Sequence, residues 1–110
     1  AQYGAPVRSA ADGFVVWAGR RSGFGRLVVV DHGGGVTTWY AHMSSVRGYA
    51  GQSVKRGDVV GYVGSSGRAK GNHLHYEVRL NNAPLNPWNF LRTDSLIARR
   101  GRFPTIGSSD

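Results

Sequence analysis

Residues 26–42, with the sequence RLVVVDHGGGVTTWYAH, decide the fold of this chain. The unbroken apolar run in residues 26–31 is typical of a strand covered on both faces. Three consecutive glycines at 33–35 permit a tight reversal, and the β-branched and aromatic residues of 36–42 favour a returning strand. The stretch therefore predicts an antiparallel hairpin. His32, directly before the glycines, is interpreted as a turn residue with little functional weight.

Short apolar segments separated by glycine turns continue on both sides of this hairpin. Residues 13–18, 59–63 and 73–80 are rich in β-branched or aromatic residues, which favours strands. The 17 glycines among 110 residues argue against long helices, because glycine destabilises a helix interior. We therefore predict one all-β domain, an antiparallel sheet folded as a sandwich or barrel.

Composition limits the classes of function. The chain has 14 Lys and Arg against 6 Asp and Glu, a formal net charge of +8, which favours polyanionic partners or serves general solubility. The aromatic residues do not alternate with bases as a stacking platform would, so no nucleic acid is expected. No apolar run approaches the roughly 20 residues of a membrane span, so no transmembrane segment is expected. The lack of cysteine excludes disulfides and thiolate zinc sites.

The predicted strand at residues 73–80 carries two histidines on one face. Because successive side chains of a strand alternate, His73, His75, Glu77 and Arg79 share a face and the apolar residues between them share the other. Two imidazoles at this spacing lie roughly 7 Å apart, close enough to serve one metal ion or one reacting group. The same pattern also occurs on solvated strand faces, and the residues alone leave both interpretations open.

A third histidine ends the predicted strand at 36–42. Strict alternation places His42 on the face of Tyr40, opposite Ala41. A histidine at a strand end beside a loop is placed like many site residues, although ordinary surface histidines occupy the same position. From the residues alone, His42, His73 and His75 are also an acceptable three-histidine zinc ligand set.

Missing motifs argue against several enzyme classes. Glu77 is the only glutamate, which disfavours the paired carboxylates of a glycosidase. No Gly-x-Ser-x-Gly elbow supports a serine hydrolase. A Gly-x-Gly-x-x-Gly fingerprint at a strand-to-helix junction and a Walker loop are missing as well.

Three segments carry a more specific pattern when taken together: GAPV at 4–7 with AADG at 10–13, TWYAHMS at 38–44, and NHLHYEV at 72–78. GQSVKRG at 51–57 and Asn-Pro at 86–87 fit the same pattern in order. This combination resembles the lysostaphin-like family of zinc peptidases, also called LytM-type domains. That family cuts peptide cross-links in bacterial peptidoglycan. The resemblance covers residues 4–90 and leaves the basic tail uncovered.

The resemblance implies a groove floored by an antiparallel sheet and one zinc ion per intact site. In the family pattern the zinc is held by a His, an Asp and the second His of His-x-His, which is His75 here. The resemblance further implies that His42 and His73 flank the water on the metal and act as general base and transition-state stabiliser. The chemistry is coherent, since zinc acidifies its water and polarises the scissile carbonyl while an imidazole accepts the proton.

The chain departs from the family pattern at its N-terminus. The family's first His and its Asp lie in a His-x-x-x-Asp segment, expected just upstream of the stretch that matches residues 1–7. We therefore expect residues 1–91 to be an N-terminally incomplete peptidase domain and residues 92–110 a basic C-terminal tail. Zinc binding by this chain alone is then doubtful, and little or no activity is expected of it.

Two interpretations of this departure remain. The chain is either part of a longer active enzyme or a member of a non-catalytic branch that binds and activates cell-wall amidases. The presence of all three histidines favours the active parent. Expected partners are the peptidoglycan peptide and anionic wall polymers, which the positive charge would attract. The expected location is periplasmic or extracellular.

Overall fold

The computed structural model describes residues 2–65 and 74–85, and every regular element in this part of the chain is a β-strand. The strands are β1 (Pro6–Arg8), β2 (Gly13–Arg21), β3 (Gly25–Asp31), β4 (Val36–Val46), β5 (Ser53–Val54), β6 (Val59–Val63), β7 (His75–Leu80) and β8 (Ala83–Pro84). All their pairings are antiparallel, which confirms the predicted all-β class. The described residues include no helix with the length and apolar character needed to cross a membrane. The tail at 92–110 lies outside the described residues.

Strand β4 is the centre of a single sheet formed by the eight described strands. Six of them follow the order β1-β6-β4-β3-β2-β5, while β7 pairs with β4 and β8 pairs with β7. One edge of β4 pairs with β3, as the hairpin prediction requires. The other edge is shared by two strands, because residues 36–41 pair with β7 and residues 43–46 pair with β6. The change of partner falls at His42. This point, where β6 and β7 diverge from β4, is called the fork below.

The two faces of the central strands bury separate apolar clusters. One face, called the core face below, carries the larger cluster, to which β1, β5 and β6 contribute side chains. Its members are Val7, Val15, Val28, Val30, Tyr40, Met43, Val54, Val60 and Val63. The opposite face, called the site face below, carries a smaller cluster of Leu27, Val29, Trp39 and Ala41, with Phe24 packed against it. Residues 27–30 are therefore all buried, as predicted for the continuous apolar run. Full burial of each such side chain contributes about 1.5–3 kcal/mol to folding.

His32 is fully buried and belongs to a hydrogen-bonded network on the core face. It stands at the start of the glycine turn, as interpreted, because its backbone N–H donates to the Val36 carbonyl oxygen at 2.9 Å. Its Nδ1–H donates to the Asp12 carbonyl oxygen at 2.8 Å, and its Nε2 accepts from the Thr38 hydroxyl at 2.7 Å. The Thr38 oxygen in turn lies 2.7 Å from the Tyr40 hydroxyl, which accepts the Ala10 N–H at 2.9 Å. The network attaches residues 10–12 to the sheet. Period-two alternation cannot reveal the links from His32 to Asp12 and from Tyr40 to Ala10, because these partners are 20 and 30 positions apart in the chain.

Glycine permits close packing of β6 beside the fork. A Cβ atom at Gly61 would lie 2.5 Å from the Met43 sulfur and 2.7 Å from the Ser45 carbonyl oxygen. A Cβ atom at Gly64 would collide with the backbone nitrogen of Ser44. These contacts are shorter than van der Waals distances, so only glycine lets β6 approach the residues that follow His42.

Candidate active site

His42 lies in a β-bulge at the fork. Its φ angle is 62°, a left-handed conformation that is uncommon outside glycine. The register of β3 against β4 slips here, so that Ala41 and His42 together oppose the single residue Leu27. The His42 N–H donates instead to the carbonyl oxygen of Phe24 at 2.8 Å. The bulge interrupts the alternation on which the predicted face of His42 was based.

His42 and His75 meet on the site face. His75 is the first residue of β7 and pairs with Ala41. The ring centroids of His42 and His75 are 5.7 Å apart, with the rings nearly perpendicular. Placing His42 on the face of Tyr40, opposite Ala41, was therefore wrong, because the bulge turns the imidazole toward His75. The structure brings these two predicted site histidines together, and His73 lies outside the described residues.

A carboxylate and a guanidinium extend from His75 along β7. The His75 Nε2–H donates to Glu77 Oε2 at 2.6 Å, and Arg79 Nε–H donates to Glu77 Oε1 at 2.8 Å. Arg79 also donates to Asn82 Oδ1 at 3.0 Å, and its guanidinium carbon lies 3.6 Å from the centre of the Trp39 ring. The side chain of Arg79 is thus fixed on three sides, and it holds Glu77 in position against His75.

Glu77 is ionised in this arrangement. Burial alone would raise the pKa of Glu77, but hydrogen bonds from His75 and Arg79 and the nearby positive charge outweigh it, so the pKa lies below its ordinary value. An ionised carboxylate accepts hydrogen bonds only, so it fixes the proton of a neutral His75 on Nε2. The Nδ1 atom of His75 then keeps a free lone pair.

An aromatic and cationic surface adjoins the histidines on the site face; its members are Trp17, Arg21, Phe24 and Trp39, here called the aromatic wall. The Phe24 ring lies 5.4 Å from the Trp39 ring and 6.4 Å from the His75 ring, centre to centre. The Arg21 guanidinium carbon lies 5.0 Å from the Trp17 ring centre and 5.3 Å from the Trp39 ring centre. The wall therefore leads from His75 across the sheet toward β2.

Sequence reasoning gave no role to several residues that surround His75. The shared face of His75, Glu77 and Arg79 was predicted correctly from alternation, and the same pattern could have suggested a carboxylate that orients an imidazole. No comparable signal exists for Phe24 and Arg21. They reach the site because β2 and β3 pair with each other and β3 pairs with β4.

The residues around His75 fit one side of a zinc site. A metal-binding histidine commonly donates its second ring N–H to a carboxylate, which fixes the tautomer and raises the basicity of the ligand. His75 and Glu77 have this relationship. Within residues 2–65 and 74–85, however, no group of three His, Cys, Asp or Glu side chains is arranged to hold a metal ion. The described residues therefore supply one histidine, His75, oriented as such a ligand would be, and no complete ligand group.

Comparison with known proteins gives the class to which this site and sheet correspond. Residues 1–87 match the model of Peptidase family M23. The DD-carboxypeptidase/endopeptidase Mpg of Neisseria meningitidis serogroup B is 48% identical over 87 residues, which are 79% of this chain and 20% of that protein. The chain thus spans about a fifth of the length of this curated relative.

Solved structures show the same fold. The catalytic domain of the antimicrobial peptidase lysostaphin from Staphylococcus simulans superimposes with a TM-score of 0.77 at 30% identity, over 84% of this chain and 74% of that one. A zinc-containing peptidase from Vibrio cholerae superimposes with a TM-score of 0.74 at 36% identity, over 77% of this chain and 26% of that one. The chain belongs to peptidase family M23.

Proposed function

We propose that this chain is the peptidase domain of a zinc-dependent endopeptidase that cleaves peptide cross-links of bacterial peptidoglycan. The observation that carries the proposal is the His42–His75 pair, with Glu77 behind His75, on the sheet of an M23 domain. The endopeptidase name of the Neisseria relative supports the reaction type. The zinc-containing peptidase from Vibrio cholerae, which has the same fold, supports the choice of metal.

His75 is the proposed zinc ligand among the described residues, acting through Nδ1 while Glu77 holds Nε2–H. We propose that a His and an Asp upstream of Ala1 complete the ligand set, because a catalytic zinc site usually has three protein ligands. When bound, zinc supplies Lewis-acid polarisation of the scissile carbonyl and acidifies the attacking water.

His42 and His73 are proposed to accept the proton of the attacking water and to stabilise the charge that develops in the transition state. The His42 ring lies beside His75, within the distance at which an imidazole takes a proton from a water held between them. His73, two residues before His75, is proposed to share this work with His42 as general base and transition-state stabiliser. The left-handed bulge keeps the His42 imidazole at the site.

The proposed substrate sets the proposed location. Peptidoglycan lies outside the cytoplasmic membrane, so we propose a periplasmic or extracellular protein. The net charge of +8 would hold the domain near anionic wall polymers. The basic tail at 92–110 is proposed to contribute to this attraction and to lie outside the peptidase domain at 1–91.

Cleavage of cross-linked peptidoglycan by the protein extended upstream of Ala1 tests the proposal. Soluble peptides released from purified cell walls are measured by chromatography, for the extended protein, its His75→Ala variant and the 110-residue chain. We expect release of peptides by the extended protein alone, with loss on removal of zinc by a chelator. An extended protein that binds zinc and leaves every cross-link intact would refute the proposed function.

The same preparations test the non-catalytic alternative. A regulator of cell-wall amidases would raise the activity of a purified amidase, and it would do so equally well with His75→Ala. A peptidase would show no such stimulation, and its own activity would disappear with His75→Ala.

A further inference from the structure

Arg21 is a positioned cation without an anionic partner among the described residues. It lies on the exposed last position of β2, where its guanidinium contacts the rings of Trp17 and Trp39. Such stacking holds a guanidinium in one orientation while leaving the edges that donate hydrogen bonds open. The ion pairs of residues 2–65 and 74–85 involve Glu77 with His75 and Arg79, and none involves Arg21.

The other acidic side chains of the described residues are already engaged. Asp12 accepts the Arg56 N–H, Asp31 accepts the Gly33 N–H and Asp58 accepts the Lys55 N–H. Arg79, which stacks on the ring of Trp39, already donates to Glu77 and Asn82. Within residues 2–65 and 74–85, Arg21 is therefore the guanidinium of this face that holds no acidic or amide side chain.

The distance from Arg21 to His75 indicates how far along a bound peptide the group held by Arg21 would lie from His75. Contacts of 5.3, 5.4 and 6.4 Å lead from Arg21 through Trp39 and Phe24 to His75. An extended peptide advances about 3.3 Å per residue. A peptide lying along the aromatic wall from His75 would thus reach Arg21 within about five residues.

We propose that Arg21, held against Trp17 and Trp39, binds a carboxylate of the substrate peptide within about five residues of the bond cleaved at His75. The inference rests on the proposed function and adds a subsite that selects acidic stem peptides. A carboxylate is the group that matches the planar fork of an arginine with two parallel hydrogen bonds. A carboxamide of the same shape is neutral and has only one acceptor atom.

Direct binding tests this proposal on the 110-residue chain. The probes are a soluble cross-linked dimer of peptidoglycan stem peptides with free carboxylates and the same dimer with its carboxylates converted to carboxamides. Dissociation constants are measured at fixed ionic strength from tryptophan emission, since two rings of the wall contact Arg21. We expect the wild type to prefer the acidic dimer about tenfold, the effect of a hydrogen bond to a charged group.

Arg21→Gln is the test variant and Arg20→Gln its matched control. Arg20 is the preceding residue of β2 and pairs with Arg26, so its side chain projects from the opposite face of the sheet. We expect Arg21→Gln to lose the preference and Arg20→Gln to keep it. Equal affinity of the wild type for the two dimers would overturn the proposal, as would a preference retained by Arg21→Gln.

The control variant also distinguishes a subsite at Arg21 from a general effect of positive charge. A loss of preference by Arg20→Gln equal to that of Arg21→Gln would show such a general effect and would overturn the subsite. Failure of the proposed function is recognised separately, because it appears as intact cross-links in the cleavage assay. The Arg21 inference is decided by the dissociation constants, whichever result that assay gives.

Discussion

At the scale of the residue, the backbone conformation of His42 explains how its side chain reaches the site. A left-handed conformation costs a non-glycine residue roughly 1–2 kcal/mol, and strain of this kind persists where the surrounding structure enforces it. Here the fork enforces it, since β4 changes partner at this residue. With this conformation the His42 ring lies beside the ring of His75.

Two substitutions that both remove the His42 imidazole, to glycine and to alanine, measure the energetic cost of the left-handed backbone at this position. His42→Gly tolerates the φ of 62°, whereas His42→Ala does not, so we expect the alanine variant to be less stable by about 1 kcal/mol. Urea unfolding followed by tryptophan fluorescence measures the difference. An alanine variant as stable as the glycine variant would show that the bulge is not strained.

Burial of His32 predicts loss of stability in acid. Burial lowers the pKa of His32, and the opposing effects of the Asp12 carbonyl and of the Asp31 and Asp12 charges do not restore it. The unfolded chain therefore binds more protons than the folded one below the ordinary value of about 6.5. The free energy of unfolding gains this contribution above that pH and loses it as the pH falls.

The control for this pH dependence is His32→Gln, which removes the titrating group and keeps a hydrogen-bonding side chain. Urea midpoints between pH 5 and pH 8 are compared for the two proteins. We expect the wild type to lose more stability than the variant on acidification. Parallel curves would mean that another group is responsible.

At the scale of the element, β7 presents His75, Glu77 and Arg79 as a unit. Glu77 fixes His75, and Arg79 fixes Glu77 while its guanidinium stacks on Trp39 of β4. The side chains that orient His75 therefore come from the same face of the same strand, two residues apart.

Glu77→Gln should weaken the zinc site without unfolding the domain. The amide is isosteric with the carboxylate but neutral, so it supports His75 less well as a ligand. We expect the zinc affinity of the protein extended upstream of Ala1 to fall about 10–100-fold, with a melting temperature close to that of the wild type. Asp58→Asn, in a turn that contains Lys55, is the control. Unchanged zinc affinity in Glu77→Gln would contradict the orienting role.

Local patterns in the sequence predict the strands better than they predict the site. The apolar run at 26–31 and the alternation at 73–80 predict β3, β7 and the shared face of His75, Glu77 and Arg79, because these features depend on neighbours in the chain. The fork, the bulge and the burial of His32 depend on which strands pair at a distance. Strict alternation along β4 therefore placed His42 on the wrong face.

At the scale of the whole molecule, the excess of positive charge predicts how the domain binds cell walls. A net charge of +8 attracts anionic polymers through an interaction that salt screens over about 10 Å at 0.1 M. We expect binding to purified walls to weaken steeply with added salt, and to weaken also when anionic polymers are stripped from the walls. Co-sedimentation measures both effects. Binding that ignores salt would refute an electrostatic attachment.

The division of work between His75 and His42 is the central claim, and the zinc content of two variants of the protein extended upstream of Ala1 tests it most directly. We predict about one zinc per molecule in His42→Asn and none in His75→Ala, with cross-link cleavage lost in both. Asparagine suits this comparison because it tolerates the left-handed backbone of position 42. Zinc retained by His75→Ala and lost by His42→Asn would contradict the account.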